Sequence, residues 1–347
     1  MTEKMESIKL TQYAHGGGCG CKIAPGILEK ILLNNRTESM HSKLIAGNSG
    51  NEDAAVWDLG TGEALVSTTD FFMPVVDKPE DYGAIAAANA ISDVYAMGAR
   101  PIFALAILGW PIEKIPVEVA AQVMKGATEI CREAGIVIAG GHTIDSPEPV
   151  FGLSVNGLVG IHHLKRNNTA RKGDLIFLTK PLGAGIITTA SKRGVAPQEH
   201  VSEAIGWMKK LNVVGIELAS VDGVNAMTDV TGFGLLGHLI EMAVGSRLQA
   251  LLNGNKIPKM KSVDSYLQQF IYPDMTMKNY AAFKDKCNEL SAEILLLLCD
   301  PQTSGGLLIS ADPAHEEEIK RILFNQGCIA EPIGIFADEN EKVISVI

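Results

Sequence analysis

DAAVWDLGTGEALVSTTD, residues 53–70, is the stretch on which the fold turns. Ala55, Trp57 and Leu59 alternate up to Gly60-Thr61-Gly62, and Ala64, Val66 and Thr68 alternate beyond it, so two strands fold back on a glycine turn. The hairpin ends in Thr68-Thr69-Asp70, which delivers a carboxylate to a strand end. Outward from it the chain mixes helix and strand. Tyr82 to Met97 is alanine-rich with helical spacing and stops at Gly98, and Val117 to Ala134 predicts a second helix stopping at Gly135. A strand from Ile136 to Ala139 is expected to run into a turn at Gly140-Gly141-His142-Thr143, and Val150 to Ile161 reads as another strand. Upstream, Pro25 to Leu33 predicts a short helix stopped by Asn34-Asn35-Arg36.

The polar, basic segment His162 to Gly173 separates this half from a new start. It divides the chain into a glycine-rich loop over residues 1–25, an α+β domain over 26–162 and a second α+β domain over 171–347. The second half reads as a strand (Leu175 to Leu178), a helix near Gly183 to Arg193 and one long amphipathic helix from Val201 to Ser220. A strand then enters Thr228-Asp229-Val230-Thr231-Gly232-Phe233-Gly234, followed by a helix from Leu235 to Val244 and a polar helical stretch near Lys259 to Phe270. Ile294 to Cys299 predicts a buried strand running into Pro301-Gln302-Thr303-Ser304-Gly305-Gly306. A helix from Pro313 to Gly327 and a final strand close the chain.

Composition narrows the function. The 347 residues suffice for about two domains with their own cores. Forty acidic against thirty basic side chains give a net charge of −10, which repels a nucleic-acid backbone, and 5% aromatics offer few stacking platforms. The longest apolar stretches, Ile102 to Trp110 and Ile294 to Cys299, fall short of the roughly 20 residues that span a bilayer. No nucleic acid and no membrane is expected as a partner. The first twenty residues carry no apolar signal core, which points to the cytoplasm, where the six cysteines stay reduced. The 35 glycines are clustered, as they are where backbone closely approaches something.

Three features could carry chemistry. His15-Gly16-Gly17-Gly18-Cys19-Gly20-Cys21-Lys22 is expected to be a mobile loop that orders over a ligand, with Lys22 and His15 lowering a thiol's pKa toward the nucleophilic thiolate. A flexible tail or half a zinc site are the alternatives, and the chain has no Cys-x-x-Cys pair to complete the latter. Asp53, Asp70, Asp93 and Asp229 sit at turns, strand ends or on a helix, where hard divalent cations find carboxylates; each taken singly is equally a turn former or cap. Asn89 and Asp93, four apart, share a helix face. Gly140-Gly141-His142-Thr143 and Gly232-Phe233-Gly234 could cradle phosphate with backbone N–H groups, although neither has the lysine and spacing of a Walker A loop.

Together these motifs resemble the selenide, water dikinase (selenophosphate synthetase) family of the aminoimidazole ribonucleotide synthetase-like superfamily. The resemblance rests on residues 15–25, Asn51-Glu52-Asp53-Ala54-Ala55-Val56, Ser67 to Phe72, Asn89 to Gly98, Ala139 to Ile144, Met227 to Gly234 and Asp300 to Leu307, in order along the chain. It implies a two-domain α+β architecture whose amino-terminal domain dimerises through its β-sheet. It implies a reaction in which ATP, selenide and water give selenophosphate, AMP and orthophosphate, the product supplying selenium for selenocysteine and selenouridine. By position, Cys19 would be the catalytic thiol and Lys22 its basic neighbour. Asp53, Asp93 and Asp229 would bind Mg2+. Lys22, Gly50, Asn51, Glu52, Asp70, Asp93, Gly141, His142 and Thr143 would contact the nucleotide, and a selenium-delivery protein is a possible partner. Some members carry selenocysteine where this chain has Cys19. A sibling kinase or ligase of the superfamily would lack the Cys19-Gly20-Cys21-Lys22 loop, and a thiol-based selenium carrier would not need the aspartates.

Overall fold

The computed structural model describes residues 8–23, 25–32, 41–47 and 50–347. Its first sheet comprises β1 (Leu44–Ala46), β2 (Ala55–Asp58), β3 (Glu63–Phe72), β4 (Arg100–Trp110), β5 (Ile138–Asp145) and β6 (Val150–Gly160), in the order β1-β2-β3-β6-β4-β5. All pairs are antiparallel except β4 with β5, whose connection contains the helix α3 (Val117–Glu133). The expected hairpin is β2 and β3, with Gly60 and Gly62 at φ 77° and 86° in its turn. Its inward residues on β2 differ from those expected. Val56 faces the core opposite Val66, while Trp57 and Leu59 look outward.

The second sheet runs β12-β9-β11-β7-β10-β8, built from β7 (Leu175–Leu178), β8 (Val224–Asp229), β9 (Leu248–Leu252), β10 (Leu307–Ala311), β11 (Pro332–Asp338) and β12 (Ile344–Val346). Helix α1 (Pro25–Leu32) matches its expected start, and its expected stop at Asn34-Asn35-Arg36 lies outside the described residues. Helix α2 (Pro79–Ala96) ends as the glycine rule requires, with Gly98 at φ 73°. It packs on β3 and β6, against α3, and across the molecule onto β8, so it joins the two sheets.

Four expected elements are corrected. Gly140-Gly141-His142-Thr143 is no turn but part of the exposed edge strand β5. Ile294 to Cys299 is helical, in α10 (Ala292–Leu298). Ser291 caps it by accepting a hydrogen bond from the Ile294 N–H, and the leucines that follow, unbranched at Cβ, pay little entropy in a helix. The long helix from Val201 to Ser220 is two, α5 (Gln198–Lys209) and α6 (Val214–Ala219). The break is set by tertiary demand: the Asn212 side chain turns inward and donates to Ser92 Oγ and to the Gly305 carbonyl, each at 2.8 Å. The stretch Lys259 to Phe270 holds only a five-residue helix, α8 (Val263–Leu267). The elements α4 (Ala184–Lys192), α7 (Gly234–Ser246), α9 (Asp274–Phe283) and α11 (Glu316–Asn325) complete the helices.

Helices α2 and α3 approach through a pair of glycines. A Cβ added at Gly83 would overlap the Val123 carbonyl, and one at Gly126 would overlap that of Glu80. Both neighbours are backbone and cannot swing aside. Gly83→Ala is therefore expected to destabilise the fold by about 3 kcal/mol, read as a fall in the urea midpoint at unchanged m-value.

Candidate active site

Carboxylates from both halves of the chain meet at the end of α2. Asp53 precedes β2, Asp93 lies on α2 and Asp229 ends β8, and these three present oxygens within 4.8 Å of one another. Each is held by a hydroxyl. Thr228 Oγ1 donates to Asp53 Oδ1 at 2.7 Å, Thr68 Oγ1 to Asp93 Oδ2 at 2.5 Å, and Ser92 Oγ to Asp229 Oδ2 at 2.6 Å. The grip crosses the molecule in both directions, since Thr228 belongs to the second sheet and Ser92 to the first half. Asp53 Oδ2 is buried and has no hydrogen-bond partner.

Burial sets the electrostatics here. Desolvation first, and then the neighbouring carboxylates, push Asp53 and Asp93 well above the usual carboxylate range. Desolvation also raises Asp229, to about 6, against the pull of the Ser92 hydrogen bond and Lys22. An orphaned buried carboxylate oxygen within a cluster of three acids is a donor set for a hard divalent cation.

Asp70, near the end of β3, forms the second part of the site. Lys22 Nζ donates to Asp70 Oδ2 at 3.1 Å, and Asn89 Nδ2 donates to the same oxygen at 2.6 Å. Asn89 lies one helical turn before Asp93. Its Oδ1 accepts the Ser304 N–H at 2.8 Å and the Cys19 thiol at 3.2 Å, while the Cys19 N–H is received by Thr303 Oγ1 at 3.0 Å. Burial alone would drive the Lys22 ammonium toward neutrality, but Asp70, with Cys19 and Asp93, outweighs it and raises the lysine above its ordinary value.

In the cysteine segment, Gly18–Cys21 forms a 3-10 turn and Cys19 is fully buried. The glycines serve close approach. Gly18, at φ 55°, donates its N–H to the Met73 carbonyl, and an added Cβ at Gly17 would come to 2.8 Å from the Pro74 oxygen. Across the contact, a Cβ on Gly232 would come to 2.9 Å from the Cys19 oxygen. The expected lowering of the Cys19 pKa is corrected. Desolvation raises its pKa, with Lys22 opposing too weakly to reverse this, so it donates as a neutral thiol. His15 supplies no field, because it turns outward to Glu148 Oε2 at 2.8 Å.

The remaining expected residues are placed as follows. Glu52, expected at the nucleotide, accepts hydrogen bonds from the connection between the sheets: Arg166 Nε at 2.7 Å, the Asn167 N–H at 3.1 Å and Asn168 Nδ2 at 3.2 Å. Asn51 is exposed and bonds through Nδ2 to Glu241 Oε1, and Gly50 beside it is exposed as well. Asp70, Leu153, Ala106 and Gly141 are paired in one row across β3, β6, β4 and β5. The Gly141 backbone therefore stands about 14 Å from that of Asp70, three strand spacings away.

Sequence reasoning missed a supporting layer. Lys180, just after β7, is buried and donates to the Lys210 and Ser304 carbonyls at 2.7 and 2.9 Å; desolvation lowers its pKa to about 7. It thereby holds Ser304 at φ 51°, the conformation that aims the Ser304 N–H at Asn89. Asp300, raised by burial to about 8, accepts from the Gly185 N–H and from Gln302 Nε2. A lysine at a strand end before Pro181-Leu182-Gly183 was the available signal for this layer.

The chain matches the AIR synthase related protein N-terminal domain over residues 51–159 and the C-terminal domain of that family over residues 171–347. It is 49% identical over 343 residues to the selenide, water dikinase of Colwellia psychrerythraea, covering 99% of this chain and 100% of that one. With the protein of the same name from Pseudomonas putida it shares 51% over 342 residues, 99% of each chain. Among solved structures it resembles a thiamine-monophosphate kinase from Stenotrophomonas maltophilia (TM-score 0.67, 20% identity, 94% of this chain and 96% of that one). It also resembles the hydrogenase maturation protein HypE in complex with ATP (TM-score 0.61, 18% identity, 98% and 94%).

The raised carboxyls make stability depend on pH in a definite direction. A folded pKa above the unfolded one means that the folded chain keeps protons the unfolded chain has lost, so this contribution is intact below the ordinary carboxylate range and is lost as pH rises through about 6. Asp53→Asn removes one buried charge and keeps an acceptor for Thr228. In chelator-treated protein it is expected to stabilise the fold by about 1 kcal/mol or more at pH 8 and by little at pH 4, measured by denaturant melts. An equal effect at both pH values would assign Asp53 a packing role instead.

Proposed function

The chain belongs to the selenide, water dikinase family of the AIR synthase related proteins, and from that premise we propose how its residues divide the work. The reaction is the synthesis of selenophosphate from ATP, selenide and water, with release of AMP and orthophosphate. In our reading, Asp53, Asp93 and Asp229 hold Mg2+, a fit supported by the orphaned Asp53 Oδ2 and by the three carboxylates gathered within 4.8 Å. Bound there, Mg2+ would supply Lewis-acid neutralisation of the phosphate oxygens.

Lys22 carries the proposal. Its ammonium leaves the cysteine turn and ends on Asp70, between the Cys19 thiol and the acid cluster. A charge in that position can receive the γ-phosphoryl group and face the incoming selenium anion at once, lowering the repulsion between two anions that must come together. Asp70 and Asn89 orient it. Cys19, a neutral thiol donor, is the group we assign to contact selenium. Burial of Cys19 beneath the turn also keeps bulk water from the first transfer, so that water enters only for hydrolysis of the remaining diphosphate. We assign the nucleotide to Lys22, Asp70 and Asp93 at its phosphate end, with Gly50, Asn51 and the Gly141-His142-Thr143 strand toward its base, and we assign Glu52 to fastening the interdomain connection. A sibling kinase fits less well, since it has no use for the cysteine turn.

We further propose a homodimer formed over the edge strand β5, where Val137 and Ile144 are 65% and 60% exposed. An unprotected edge carrying apolar side chains invites a partner strand. The domains follow the division at 162–171, and the reaction runs in the cytoplasm, a setting suited to six free cysteines. No described helix is long and apolar enough to cross a membrane. The product would serve as selenium donor for selenocysteine and selenouridine.

Phosphorus NMR of the protein with ATP, Mg2+ and selenide under anaerobic reduction tests the assignment. Wild type is expected to give a P–Se resonance with AMP and orthophosphate. Lys22→Ala should reduce it about a hundred-fold or more at an unchanged unfolding midpoint; retained turnover would remove Lys22 from the chemistry. For the dimer, Ile144→Lys should shift the sedimentation coefficient to that of a monomer, and an unshifted value would place the interface elsewhere.

A further inference from the structure

We propose that the cavity on the outer side of the cysteine turn is the entrance for the selenium substrate, taken up as the hydroselenide anion, and that it is separate from the nucleotide's approach. The proposal rests on the dikinase reading and adds to it a route and the residues that create it. The cavity measures about 490 Å³, and one wall of it is the glycine-cysteine segment itself, through Gly16, Gly20, Cys21 and Lys22. Its charge is unlike that of the whole molecule. In a chain of net charge −10, the lining includes four fixed cations, Lys22, Lys192, Arg193 and Lys278, and one carboxylate, Asp274. None of Asp53, Asp70, Asp93 and Asp229 is part of it.

The cysteine turn is thus a thin partition with acids behind it and cations in front. Lys22 belongs to both sides, since it lines the cavity and its Nζ reaches Asp70. Lys192 is used structurally, donating to the Ala14 carbonyl at 3.0 Å. Arg193, at the end of α4, and Lys278, on α9, are exposed, and among the described residues neither is paired with a carboxylate. Unpaired cations around a concave mouth focus the field outward and raise the local concentration of small anions.

Hydrogen selenide is a stronger acid than hydrogen sulfide and is the hydroselenide anion at neutral pH. An approach past the three clustered carboxylates, or past a bound triphosphate, would cost it like-charge repulsion. The basic cavity offers a path with the opposite sign that ends at Lys22 and at Cys21, whose thiol donates to the Gly18 carbonyl at 2.9 Å. The volume is far larger than one hydroselenide ion, so the cavity gathers the ion and leaves tight binding to the buried turn.

The test compares steady-state kinetics of wild type and Arg193→Glu/Lys278→Glu, following selenophosphate by phosphorus NMR. The KM for selenide is expected to rise about ten-fold at low ionic strength, with kcat and the KM for ATP unchanged, and the difference should shrink as salt screens the lining. Arg193→Gln/Lys278→Gln should give a smaller rise. Lys256→Glu/Lys261→Glu, with the same change in net charge outside the cavity, should give none. An unchanged KM for selenide in the first variant overturns the proposal. So does a rise confined to the KM for ATP, which would assign the cations to the nucleotide. A wild-type protein that turns over ATP without any selenide-dependent product would instead overturn the dikinase reading beneath it.

Discussion

Three carboxylates held within 4.8 Å of one another, Asp229 buried and Asp53 and Asp93 half-buried, form the constraint from which most of this structure follows. Such a cluster is unfavourable by itself, because each charge is desolvated and each repels the others. The fold contains it by distributing its members. Asp53 and Asp93 come from the first half and Asp229 from the second, and the hydroxyls of Thr228 and Ser92 hold the acids of the opposite half. The two sheets are therefore joined at the acid cluster. Asn212, which breaks the helix expected over Val201 to Ser220, belongs to the same lacing through Ser92.

Close approach is the second constraint. Lys22 must reach Asp70 while Cys19 stays buried against Asn89, and this puts a backbone turn where side chains would normally stand. Gly17, Gly18 and Gly232 make room from both sides of the contact. The same burial decides the state of the sulfur. A thiol moved out of water beside a lysine already committed to Asp70 keeps its proton, so its reactivity has to come from what binds next to it.

The sequence was legible wherever local rules act alone. The β2–β3 hairpin and the stops of α2 and α3 at Gly98 and Gly135 follow from turn glycines and helical spacing, whereas the grouping of Asp53, Asp93 and Asp229 was implied by the family resemblance alone. It was illegible where tertiary partners overrode local preference. A four-leucine run suits a buried strand or a buried helix, and the Ser291 cap settled it for helix. Gly140 and Gly141 looked like a turn, but Gly141 lies flat beneath the Ala106 backbone in an edge strand. The hydrogen bonds of Glu52 were equally hidden, because its partners, Arg166 to Asn168, lie more than a hundred residues away. Lys180 had no signal beyond its place at a strand end.

The distribution of these features along the chain separates what is shared from what is particular. The segments matching the AIR synthase related domains begin at residue 51 and contain all four aspartates, Asn89 and Lys180. Solved proteins at 18–20% identity share the fold over more than nine-tenths of this chain. Residues 15–22 lie outside both matched segments. The acid cluster thus lies within the matched segments, and the cysteine turn packs on them where Gly232 leaves room. Because the turn carries the lysine that ends on Asp70, the cysteine segment and the acid-bearing sheet meet in a single ion pair.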